Sequence, residues 1–121
     1  MNADSLDLRL RTKRFAVQII RLYSGLPKTT EAQVLGKQVL RSGTAVGAHY
    51  REAFRSRSSA EFVSKIETAL QELEETIYWI ELLTETKLIR EDFAQKYLTE
   101  ADELIRILVA SSKTAKHNSK K

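Results

Sequence analysis

A chain of 121 residues suits one domain, and a hydrophobic share of 42% is too high for a disordered chain. One proline and four glycines favour long helices, and the absence of cysteine excludes disulfides, thiolate zinc sites and a cysteine nucleophile. The net charge of +4 is uneven: residues 1–57 carry 11 Lys/Arg against 4 Asp/Glu, residues 58–121 carry 9 against 12. Such a basic half attracts phosphate backbones or anionic surfaces, although helices of opposite sign pairing inside a bundle produce the same asymmetry.

The opening MNADSLDLRLRTKR has no apolar run of signal-peptide length, and no segment approaches about 18 apolar residues. The expectation is a cytoplasmic protein with no membrane partner.

Residues 5–23 are predicted as a first helix. Phe15, Ile19, Leu22 and Leu26 hold the 4-3-4 spacing of one buried stripe. Arg9, Arg11, Lys13, Arg14 and Arg21 lie mostly off it. Gly25 is expected to take a left-handed cap, and Pro27 cannot continue the ladder. A capping box at Thr30-Glu31-Ala32-Gln33 is expected to open helix two. Its seam runs Ala32, Leu35, Val39, Ser42, Val46, His49, Ala53. Beside it lie Gly36, Gly43 and Gly47. Each internal glycine costs about 0.5–1 kcal/mol relative to alanine, so retaining three points to another helix packing close.

Ser58-Ser59-Ala60-Glu61 reads as a second capping box opening helix three, over residues 58–86. Phe62, Ile66, Ala69, Leu73, Thr76, Ile80 and Leu83 hold its seam, and glutamates including Glu67, Glu72, Glu74 and Glu75 are assigned to its other faces. Helix four is predicted over 91–112, with Ala94, Tyr97, Ala101, Leu104 and Leu108 inward. Residues 113–121, KTAKHNSKK, read as a basic flexible tail. No strand pattern competes. The fold class is therefore all-α, an antiparallel up-down-up-down four-helix bundle over residues 1–112.

The run RSGTAVGAHYREAFRSRSSAEF at 41–62, followed by ELEETIYWIELL at 72–83, resembles the family of ribosomal-RNA (23S) intervening-sequence proteins, small bacterial four-helix bundles. The resemblance implies a ring-like homopentamer. A more distant likeness, in fold and charge only, is to the accessory proteins of diversity-generating retroelements, basic pentamers that bind nucleic acid and a reverse transcriptase. The family pattern has an arginine at the place of Arg41, a glutamate at Glu52, and an asparagine where this chain has His49.

Three groups of residues bear on function. Arg51, Arg55 and Arg57, with Tyr50 and Phe54, form the best nucleic-acid candidate: arginines fork onto phosphates, and the aromatics stack on unpaired bases. A solvated corner with no ligand is the competing reading. Arg41, His49 and Glu52 are expected to join a structural polar network, with partners such as Lys65 or a carboxylate of helix three. His49 three residues before Glu52 also has the form of a proton-transfer dyad or half a metal site, but no nucleophile, ligand set or phosphate loop accompanies it. Tyr78 and Trp79 are expected to pack within the bundle or between subunits. No catalytic residue, cofactor or metal is expected. The sequence reading is a non-catalytic oligomeric protein that binds RNA or DNA, with a nucleic-acid enzyme as a candidate partner and a protein-interaction scaffold as the alternative.

Overall fold

Four amphipathic stripes, each bounded by a cap or a turn, become four helices. The computed structural model describes residues 3–119, with side chains from Leu8 onward: α1 spans Ala3–Ser24, α2 Thr30–Phe54, α3 Ser59–Glu85 and α4 Glu91–Ser119. No strand occurs among the described residues. Consecutive helices pack antiparallel in an up-down-up-down bundle, and α2 and α3 form its centre. The stripes expected on α1 and α4 are buried, and so is that of α3 except for half-buried Phe62.

The glycines of α2 have the close-packing role their retention suggested. A Cβ on Gly43 would meet Cγ1 and Cγ2 of Ile19 at 2.8 Å, and one on Gly36 would meet Leu26 Cδ1 at 2.5 Å. At Gly47 the nearest atom is Thr12 Oγ1 at 3.3 Å. Small residues on one side of α2 thus let α1 approach, and the other side meets α3. There Thr76 Oγ1 lies 2.8 Å from Ser42 Oγ and 2.7 Å from the carbonyl of Glu72, so the buried hydroxyls partner each other across the helix pair. Helices α1 and α4 meet only sparsely; Arg11 links them to Glu100 at 2.7 Å and Glu103 at 3.3 Å.

Four local details differ from the sequence expectation. The N-cap of α2 is Thr29, whose hydroxyl accepts from Ala32 N–H. Gln33 closes no capping box there. Its amide donates to the Pro27 carbonyl at 2.9 Å and accepts from the Tyr23 hydroxyl at 3.1 Å, stitching the α1–α2 turn. Gly25 keeps an ordinary negative φ; the left-handed residue is Lys87, φ 62, after α3. Its N–H reaches Thr84 O at 3.0 Å, and the Leu88 N–H reaches Leu83 O at 2.9 Å, the two bonds of a Schellman motif. Finally, α4 continues past Ser112 to Ser119, held by buried Ser112 and by Lys116, which pairs with Glu67 at 2.8 Å.

Candidate nucleic-acid interface

The corner between α2 and α3 is built by two opposed caps. At the end of α2 the Arg55 N–H is shared between Arg51 O and Glu52 O, both at 3.2 Å, and the Ser56 N–H turns back to Ala53 O. Ser58 then runs extended and its hydroxyl accepts from Glu61 N–H, opening α3. The Glu61 carboxylate reaches Arg57 N–H at 3.4 Å, where a capping box would have used the cap residue itself. Arg51, Arg55 and Arg57 are all exposed, and among the described residues none is paired with a carboxylate. Arg11, Arg41 and Arg90 each hold one, whereas Arg14, Arg21 and Arg106 are exposed and unpaired like the corner arginines, but lie apart from one another.

The two aromatics grouped with those arginines are placed differently. Tyr50 is only 2% exposed, one step along the buried face of α2 from Gly47. Phe54 is half-buried against the core, and the guanidinium of Arg9 lies 4.3 Å above its ring centroid. A cation over the ring face at that distance is an attractive pairing of charge with ring quadrupole. Arg9 thus joins the corner from α1. Sequence reasoning placed it only off the α1 stripe, because its contact with Phe54 exists solely through the α1–α2 hairpin. Arg9 lies 15 residues before the end of α1 and Phe54 lies 24 after the start of α2, so no count from the turn pairs them.

Arg41, His49 and Glu52 each lie near a partner on α3, and the hub is Glu72, one of the glutamates placed off the helix-three seam. Glu72 is buried, and both its oxygens accept from Arg41 Nη1, at 3.2 and 3.1 Å. Arg41 Nη2 holds Glu75 at 2.8 Å. His49 Nδ1 sits 3.0 Å from Glu52, its Nε2 is 3.9 Å from Glu72, and Lys65 reaches Glu52 at 3.5 Å. The hydrogen bond from His49, then the charge of Lys65, hold the Glu52 carboxyl below its ordinary value. Glu72 lies beside Leu73 and three residues after Ala69, at the edge of the α2–α3 seam. His49 is on the rim of this seam, half-buried, and not inside the core. Its ring faces two carboxylates and completes no larger set: among the described residues no group of three or more His, Cys, Asp or Glu side chains is placed to hold a metal ion.

The antiparallel packing gives the molecule two unlike ends. At one end lie the α2–α3 corner and the start of α1 with Arg9, and α4 finishes toward it with Lys113 exposed. The other end carries the α1–α2 and α3–α4 turns, where charges are mixed and Arg90 pairs with Asp92 at 3.0 Å. No helix among the described residues is long and apolar enough to cross a membrane.

A four-helix bundle whose central pair is latched by an Arg–Glu–His network, with one basic end, defines a small all-α class. The family model of the 23S rRNA-intervening sequence proteins matches residues 4–110, nearly the whole bundle, and the chain belongs to that family. The chain is also similar to a crystal structure of a protein with unknown function from the S23 ribosomal protein family of Bacteroides thetaiotaomicron. That likeness has 36% identity and a TM-score of 0.85, over 90% of this chain and 97% of the other. Among curated proteins none matches the chain.

Proposed function

We propose that this protein is a non-catalytic cytoplasmic module that binds RNA or DNA through the basic end of its bundle. The observation that carries the reading is the clustering of three exposed arginines within seven residues at the α2–α3 corner, none of them paired with a carboxylate among the described residues. An arginine left without a carboxylate keeps its forked donors for phosphate oxygens. The residues assigned to the contact are Arg51, Arg55 and Arg57. Tyr50 and Phe54 support the corner from within.

The test is binding of labelled RNA and duplex DNA across a salt series, with the Arg51→Gln/Arg55→Gln/Arg57→Gln protein beside the unaltered one. Binding that weakens steeply with salt, and a shallower slope in the variant, are expected. Unaltered protein that ignores nucleic acid at about 50 mM salt would sink the reading.

The alternative, a protein-interaction scaffold, draws on a different surface. Leu10, Val17 and Ile20 are 52%, 38% and 46% exposed on the outer side of α1, among Lys13, Arg14 and Arg21. We propose that the protein assembles as a homo-oligomer, a pentamer as the family resemblance implies. Repetition would multiply a modest basic patch into an avid one. Mass measurement in the binding buffer tests that assembly, and under the scaffold reading the arginine variant would change mass instead of affinity.

A further inference from the structure

We infer that the basic end takes the sugar–phosphate backbone of a duplex and does not take the bases of a single strand. This rests on the nucleic-acid reading above and narrows it. Proteins that hold single strands combine a basic groove with open aromatic faces, on which successive bases stack. This corner has the charge without the faces. Tyr50 is buried, Phe54 is half-buried beneath the Arg9 guanidinium, and Phe62, one turn into α3, is packed against the core. The exposed rings, Tyr78 and Phe93, are elsewhere. Tyr78 lies roughly 30 Å along α3 from Ser59, and Phe93 is at the opposite end of the bundle beneath Lys96.

What remains at the corner is a group of cations, beside the carboxylates of Glu52, which Lys65 holds, and Glu61. Arg51 and Arg55 are one helical turn apart, about 6 Å along the axis, and Arg57 follows beyond the cap. Arg9 does double service: its stack on Phe54 removes the nearest ring from bases and fixes a fourth cation at the same end. Cations that lack open ring faces beside them engage phosphates and not bases, so the density of phosphates decides the partner. A duplex presents one charge per about 1.7 Å of axis, twice the density of either strand alone.

The experiment compares a duplex with each of its component strands at equal phosphate concentration, in an RNA set and a DNA set, by fluorescence anisotropy across salt. The expected result is duplex binding on the order of tenfold tighter at low salt, no difference between adenine-rich and thymine- or uracil-rich single strands, and slopes near 0.9 per phosphate for DNA duplex against 0.7 for single strands. Phe54→Leu, which removes the ring that seats Arg9, is expected to weaken duplex and single-strand binding by the same factor, where loss of a stacked base would cost the single strand roughly tenfold more. Single strands bound as tightly as the duplex, with binding still lost in the corner arginine variant, would overturn this inference and leave the nucleic-acid reading standing. Failure of every nucleic acid to bind would overturn both.

Discussion

Gly43 and Gly25 are the same residue type with opposite demands. At Gly43 an added methyl meets Ile19 at 2.8 Å on a fully packed side chain, whereas at Gly25 the nearest atoms are carbonyls at 3.7 Å, ordinary contact. Gly43→Ala is therefore expected to destabilise the fold by about 1–3 kcal/mol in chemical denaturation, the range for overpacking. Gly25→Ala should stay within about 0.5 kcal/mol. Glu52 carries a different kind of prediction. Its carboxyl is held below the ordinary value by His49 and Lys65, so the folded state favours the ionised form. That contribution is present above the unfolded glutamate value of about 4.3 and is lost as pH falls through the lower, folded value. Replacing it with glutamine should make the acid limb of the stability–pH curve shallower; an unchanged limb would show that the lowered carboxyl has no linkage to folding. The small residues of α2 were legible in sequence as a packing face. Glu72 was not, because a glutamate beside a seam looks like any solvated glutamate until its arginine is seen across the helix pair.

Helix boundaries are set by single hydrogen-bonding groups, and here the sequence offered neighbouring candidates. Thr29 and Thr30 are chemically equal, yet only Thr29 sits in the extended conformation that aims a hydroxyl at Ala32 N–H. Thr29→Ala should lower stability by about 1 kcal/mol, and Thr30→Ala by much less, read from thermal melts of the two variants. The end of α3 has an opportunity of the opposite sign. Lys87 occupies the left-handed position of a Schellman motif where glycine carries no steric penalty. Lys87→Gly should stabilise by up to about 1 kcal/mol, and a lower melting temperature would refute the strain assigned to that residue. The second capping motif, at Ser58, was legible because only one serine there precedes a glutamate by three residues. At α2 the turn before the helix chose the cap, and that turn depends on Gln33 bridging Pro27 and Tyr23.

At the scale of the whole molecule, the antiparallel order sorts charge by end. The start of α1, the α2–α3 corner and the exposed Lys113 of α4 belong to one end, and the pair Arg90–Asp92 belongs to the other. A nucleic acid steered by this field should sense the first end and ignore the second. Neutralising Arg51, Arg55 and Arg57 should reduce the slope of log affinity against log salt by about 1 for each arginine that touches a phosphate. Neutralising Lys28, Lys87 and Arg90 should leave it unchanged, with equal helicity by circular dichroism in both variants. Equal losses from the two ends would mean that net charge, and not the corner, governs binding.

By itself the sequence determined the fold class, the number and order of helices, most of their inward faces and the family. Hydrophobic periodicity and capping groups act over three or four residues, so they are readable along the chain. Tertiary structure alone decided what the site is made of. It buried Tyr50, laid Arg9 over Phe54, brought Arg41 to Glu72 and left three arginines of the corner exposed. Each of these follows from how two antiparallel helices are set against each other. A side chain's charge or ring is written in the sequence; the neighbour that neutralises or covers it comes from another helix, at a register fixed only when the core packs.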